Sequence, residues 1–205
     1  STNADNAAGK PPEMLNLSGG EGQKAKATDV LAIADPPQHT RQRRVANRDF
    51  TMRRVANMEQ RITALCNELL SDIKSDEFDW VKQFAAPLPL IIIMELIGFP
   101  LADREKLKRW SDASVALLSG INTADELMAH GEQINQLIAY LAEHYDRAFE
   151  SPGDNLLGDL IVESKLDDQQ FGRDEIVSML VQLLSAGNET TASLVGSGML
   201  MLCQD

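Results

Sequence analysis

The feature that most constrains this chain is the run from about Asp174 to the last residue, Asp205. Ile176, Leu180, Leu183, Gly187, Thr190, Leu194 and Gly198 fall three or four residues apart along it. That spacing is the signature of one face of an α-helix, and here it predicts a long one. No run of alternating apolar and polar residues competes with it elsewhere, and no internal repeat is present. The chain therefore reads as all-α.

The remaining helices follow from start and stop signals. Asp35-Pro36-Pro37-Gln38 opens one, with Asp35 as cap and proline in the first turn, running to about Asn47. Thr51 caps the next, and Phe50 is placed to pack on Val55 as a staple. Val55, Met58, Ile62, Leu65, Leu69 and Ile73 then form an apolar stripe, with Cys66 beside it as a buried, inert thiol. Further helices are expected over Leu88–Gly98, Asp103–Ser119, Ala124–Glu150 and Asn155–Ser164. Gly120–Thr123 forms a short loop and Ser151-Pro152-Gly153 breaks the chain. The last helix is expected to be still running at Asp205. Residues 1–29, rich in Gly, Asn, Lys and acids, read as loop or weakly ordered chain, and residues 30–205 as one helical unit.

Charge narrows the functional classes. The 205 residues carry 19 Lys and Arg against 31 Asp and Glu, a net of −12. Phosphate binding needs local positive charge, so no nucleic-acid partner is expected. The acidity is uneven. Arg41, Arg43, Arg44, Arg48, Arg53, Arg54 and Arg61 share residues 41–61 with two acids, a net of +5, so the rest of the chain carries −17. Such an island marks a contact surface. Two cysteines, Cys66 and Cys203, cannot build a disulfide framework, and a reducing compartment is the default. The N-terminus has no apolar stretch of the signal-peptide kind. The longest apolar run, Leu88 to Phe99, is interrupted by Pro89 and Glu95 and falls short of the ~20 residues of a membrane span. No membrane anchor and a cytoplasmic location are expected.

Two short constellations carry chemistry. The first is Ala186-Gly187-Asn188-Glu189-Thr190-Thr191, in the middle of the last helix. Glycine costs a helix ~1 kcal/mol relative to alanine. A threonine hydroxyl can bond the carbonyl four residues back and bend the helix. Such a violation of local propensity marks a functional or strained site. A locally opened turn would give a small groove with a hydroxyl beside it and a carboxylate to relay protons. Other roles stand beside that one. Glu189 also continues a polar stripe with Ser178, Gln182 and Ser185, Gly187 also permits close helix packing, and the threonines also serve as core filler.

The second constellation is His39-Thr40-Arg41-Gln42-Arg43. His39 and Arg43 are four apart and share a helix face, so they present two donors together. Arginine supplies a planar fork suited to a carboxylate. The same residues also fit a solvated arginine-rich helix.

Taken jointly, these segments resemble the haem-thiolate cytochrome P450 family, of its soluble bacterial type. Asp35 to Arg44, followed by Phe50-Thr51 and Arg53-Arg54-Val55, is similar to the family's approach to the C helix. Ala85 to Leu90 and Ile97 to Pro100 are similar to its E-helix region. Ala186 to Thr191 resembles its oxygen-binding I-helix motif. The resemblance spans about residues 30–205 and implies the C to I helices of a mainly helical fold. It also implies an enzyme, a monooxygenase that activates dioxygen with haem b (iron protoporphyrin). His39 and Arg43 would bind the haem propionates. Ala186 and Gly187 would form the oxygen groove. Glu189 and Thr190 would be the acid–alcohol pair that delivers protons to dioxygen. Electrons would come from NAD(P)H through a ferredoxin or flavodoxin and its reductase, docking at the arginine island. The substrate would be a small, apolar organic molecule, and the Gly120–Thr123 region would cover its channel.

The departures are as specific. The family's Phe-x-x-Gly-x-x-x-Cys-x-Gly loop is absent, so neither Cys66 nor Cys203 is carried over as axial ligand, and no metal ligand is assigned in this chain. The Glu-x-x-Arg motif and the N-terminal strands are also absent. The expectation is the middle of a longer protein, inactive by itself. A reading of another class is a non-catalytic helical protein that binds an acidic partner through residues 41–61.

Overall fold

The computed structural model describes residues 34–49, 52–166 and 172–204. The weakly ordered reading of residues 1–29 and the Phe50–Thr51 cap and staple lie outside them. All regular structure among the described residues is helical: α1 (Gln38–Asp49), α2 (Met52–Asn57), α3 (Glu59–Asp72), a π-helical turn (Val81–Ala85), α4 (Pro87–Ile97), a 3₁₀ turn (Leu101–Asp103), α5 (Arg104–Leu118), α6 (Ala124–Glu150), α7 (Leu156–Leu166) and α8 (Arg173–Leu202).

Local chemistry explains most boundaries. Gly98 stops α4 in the left-handed region, φ 95°, and the Gly98 and Phe99 amides both return to the Met94 carbonyl. Glycine reaches that φ without the Cβ penalty. Thr123 and Glu126 cap α6 reciprocally: the Glu126 amide donates to Thr123 Oγ1 at 3.3 Å, and the Thr123 amide donates to Glu126 Oε2 at 2.8 Å. Asn155 Oδ1 accepts the Gly158 amide at 2.9 Å and opens α7.

α8 is the central post. It packs on α4, α5, α6 and the π-helical turn, and α5 pairs with α6 along the hairpin that the Gly120 turn closes. The core joins Leu90, Met94 and Ile97 of α4 to Leu107 of α5, Leu137 and Leu141 of α6, Leu160 and Ile161 of α7, and Ile176 and Leu180 of α8. Removal of that much aliphatic surface from water is the main favourable term in folding.

Two expectations are corrected. The stripe from Val55 to Ile73 is not a core face. A break at Met58 separates α2 from α3, Leu65 is the one buried member of the stripe, and Val55 is 55% exposed. α3 meets α4 and the π-helical turn on one side, which covers too narrow a strip to bury the whole row. Cys66 is accordingly half-exposed rather than buried. α8 runs to Leu202, and the Cys203 amide carries its pattern on by bonding the Met199 carbonyl. The buried face of α8 is the row Ile176, Leu180, Leu184, Asn188 and Ala192. The stripe read from spacing shares its first two residues with that row and otherwise lies on a face that neighbouring helices leave partly or wholly uncovered. Neighbouring helices follow the i+4 ridge, so Gly187 and Thr190 emerge from the core and Leu194 is 73% exposed.

Candidate functional site: the middle turn of α8 and the start of α1

The Ala186–Thr191 segment is continuous α-helix. The expected local opening is not there. What the sequence provides instead is a low strip: Ala186, Gly187 and Thr190 are exposed together, two of them with almost no side chain. Thr190 Oγ1 donates to the Ala186 carbonyl at 2.6 Å. The hydroxyl proton is thereby committed to the helix, and the oxygen lone pairs remain free to accept. Glu189 is half-exposed, with a path to solvent. Gly187 also faces α4: a Cβ built on it would lie 3.0 Å from Ile93 Cδ1. Close packing and an open strip are thus both realised at this glycine, on its two sides.

α1 reaches the start of α8 through a neighbouring residue. Arg41 pairs with Glu175, which also accepts the Gly172 amide at 3.0 Å and so caps α8. Glu175 therefore ties α1 to the first turn of the helix that carries Gly187 and Thr190. His39 is half-buried and Arg43 exposed, one turn apart. Neither pairs with a carboxylate among the described residues.

The arginine island is not one free surface. Arg41 is held by Glu175, and Arg61 is held by Glu95 and Glu68. Arg43 and Arg44 are exposed. The side chains of Arg48, Arg53 and Arg54 lie outside the described set.

Three features escaped sequence reasoning. Asn188 is buried to 1% exposure among aliphatic residues, and its Nδ2 donates to Ser111 Oγ on α5 at 3.4 Å. The Trp80 indole N–H donates to the Val195 carbonyl of α8 at 3.3 Å, and its ring stacks on Phe84 at 4.3 Å. The π-helical turn that follows Trp80 has no periodicity signal of its own. Polarity at position 188 in an i+4 row of buried residues was the one available clue. Among the described residues no group of His, Cys, Asp and Glu is placed to hold a metal ion, and no helix is long and apolar enough to cross a membrane.

Comparison with known proteins agrees with this architecture. No protein-family model matches the chain. It is 35% identical to the vitamin D(3) 25-hydroxylase of Pseudonocardia autotrophica over 179 residues, 87% of this chain and 43% of that protein. It is 35% identical to cytochrome P450 144 of Mycobacterium tuberculosis over 94% of this chain and 43% of that protein. It is also 35% identical to the 6-deoxyerythronolide B hydroxylase of Saccharopolyspora erythraea, over 84% of this chain and 42% of that one. Among solved structures, cytochrome P450 CREJ in complex with (4-ethylphenyl) dihydrogen phosphate superposes with a TM-score of 0.79 at 32% identity, covering 85% of this chain and 44% of that one. P450BioI in complex with an acyl carrier protein gives 0.79 at 25% identity, covering 86% and 45%. The chain thus spans a little under half the length of the relatives it matches. A helical set with this order, matched in both sequence and backbone over most of its length, is similar to the corresponding part of cytochrome P450s.

Proposed function

We propose that the protein containing this chain is a haem-dependent monooxygenase that inserts one atom of dioxygen into a small, apolar organic substrate. The observation that carries the proposal is the exposed strip of Ala186 and Gly187 with the Thr190 hydroxyl tethered beside it and Glu189 in the same turn. The residues present fit the cofactor. His39 offers a ring N–H and Arg43 a guanidinium fork, and neither is neutralised by a carboxylate among the described residues, which suits two propionates. The small residues of α8 leave room for a flat ring. Bound there, haem supplies the chemistry that activates dioxygen.

The chain's own residues have separable tasks. His39 and Arg43 hold the anionic edge of the cofactor. Ala186 and Gly187 keep the helix surface low enough for a diatomic molecule. Thr190 presents an oxygen that accepts a hydrogen bond while its proton rests on the Ala186 carbonyl. Glu189 takes protons from solvent and passes them toward that hydroxyl.

Electrons come from NAD(P)H through a ferredoxin or flavodoxin and its reductase, in the cytoplasm. Arg44, exposed beside Arg43 on α1, is left available to an acidic partner, and opposite charge speeds such an encounter. The chain by itself is inactive, because it has no axial-cysteine loop. The reading as a non-catalytic binder of acidic partners gains nothing from the structure, since Arg41 and Arg61 are already spent on internal carboxylates. The test is to reduce the full-length protein under carbon monoxide and record the Soret band. A thiolate-type shift is expected, and its absence rules the proposal out.

A further inference from the structure

The buried row of α8 is aliphatic or alanine at Ile176, Leu180, Leu184 and Ala192, and amide at Asn188 alone. Asn188 stands inside the turn that bears Glu189 and Thr190. It has a single protein partner, Oγ of Ser111 on α5, and Ser111 is itself fully buried. Asn188 Oδ1 has no protein partner. Turning the amide over does not change the count, because the Ser111 hydroxyl would then serve the amide oxygen and the other end would be left over. An apolar residue would avoid this cost in stability.

What a half-satisfied amide adds to an aliphatic interface is register. Aliphatic surfaces tolerate sliding, whereas a hydrogen bond is short and directional and admits one axial position. α5 is one arm of the hairpin that ends at the Gly120 turn, and it packs directly on α8. On another side of the same turn, Gly187 rests against Ile93 of α4. The turn is therefore held between a polar contact to α5 and a steric one to α4.

We infer that Asn188 is a positioning residue. Through Ser111 it fixes the height and rotation of the Glu189–Thr190 turn against α5, so that the carboxyl and hydroxyl keep one orientation toward the Ala186–Gly187 strip. The inference deepens the monooxygenase reading and rests on it for its chemical consequence.

The test uses Ser111→Ala, Ser111→Thr, Asn188→Ala and the double alanine variant in the full-length, haem-loaded protein. Ser111 lies on another helix from the residues assigned to haem and proton delivery, so its variants report on the contact alone. Hydrogen exchange at the amides of 187–194 is expected to quicken about fivefold in Ser111→Ala, the size of one neutral hydrogen bond. Ser111→Thr keeps the hydroxyl and is expected to stay within about twofold of the parent. Product formed per reduced nucleotide oxidised is expected to fall about fivefold in each alanine single variant, and no further in the double, as coupling through one contact requires.

Unchanged exchange in Ser111→Ala overturns the inference. So does faster exchange with an unchanged product yield, because the contact is then packing only. Equal losses in the threonine and alanine variants, or multiplied losses in the double, overturn it as well. If the parent protein shows no thiolate-type Soret shift, the monooxygenase reading fails separately, and the exchange rates still decide whether Ser111 holds the turn.

Discussion

Arg61 of α3 and Glu95 of α4 are joined fork to fork: Nη2 lies 2.7 Å from Oε1 and Nε 2.9 Å from Oε2. Nη1 also reaches Glu68 at 2.9 Å. The Glu95 carboxylate holds the guanidinium above its already high ordinary value, so Arg61 stays charged at any working pH. Both side chains are about a third exposed, which limits the gain. Lysine would keep the charge and lose the second parallel bond. Arg61→Lys is therefore expected to lower stability by about 0.5–1 kcal/mol. The check is the urea midpoint of unfolding, and the difference should shrink in high salt.

Gly158 predicts a larger effect. A Cβ there would stand 1.9 Å from the Gly153 carbonyl oxygen, a backbone atom that cannot yield without moving the loop over α7. Gly158→Ala is expected to cost about 2–3 kcal/mol. Gly198, inside α8 with open space around it, is the matched control. Gly198→Ala should stabilise by roughly 0.5–1 kcal/mol through helix propensity. Similar unfolding midpoints for the two variants would contradict the clash.

Thr190 and Glu189 test the proposed proton path. Thr190→Ala removes the hydroxyl that now bonds the Ala186 carbonyl, and Glu189→Gln keeps the shape while removing the titrating group. Each is expected to reduce product per reduced nucleotide oxidised by roughly tenfold or more while oxidation of the nucleotide continues. Thr190→Ser should retain most of the yield. Full yield in both disruptive variants refutes the role.

Stability should fall on mild acidification, for a reason located beside α6. His144 packs between the rings of Tyr140, at 4.3 Å, and Phe99, at 5.1 Å. Burial first, and Arg147 second, hold it below the ordinary histidine value of 6.5. The unfolded chain takes up that proton more readily, so stability is full above a pH of about 6.5 and declines as pH drops below it. Asp103 acts in the same direction lower down. The Lys106 ammonium and then the Tyr140 hydroxyl, at 2.9 Å, hold its carboxyl below 3.8, so its contribution disappears as pH falls through the acid range. His144→Gln should flatten the unfolding midpoint between pH about 7 and 5, and Asp103→Asn should flatten it below about 4. A parent midpoint independent of pH over the upper range would contradict the His144 assignment.

The helices were legible because their signals are local. Gly98, Thr123 with Glu126, and Asn155 each set a boundary within four residues of themselves, and each does so in the structure. The motif at 186–191 was legible as a violation of helix propensity, although the predicted opening is not there because Thr190 returns its hydroxyl to the helix rather than breaking it. Burial was less legible. Val55 and Leu194 lie on good apolar stripes and stand largely exposed, since a stripe states which residues can be covered and says nothing of which neighbour arrives to cover them.

The sequence by itself determined the helical class, the order of the main helices and the side-chain types that the α8 turn offers, because spacing, caps and side-chain type act over a few residues. Only the tertiary structure decided which face of α8 is inside, that Arg41 and Arg61 are consumed by Glu175 and Glu95, and that Asn188 meets Ser111. Those outcomes depend on the i+4 ridge along which neighbouring helices cross α8, and on carboxylates and hydroxyls far away in the chain.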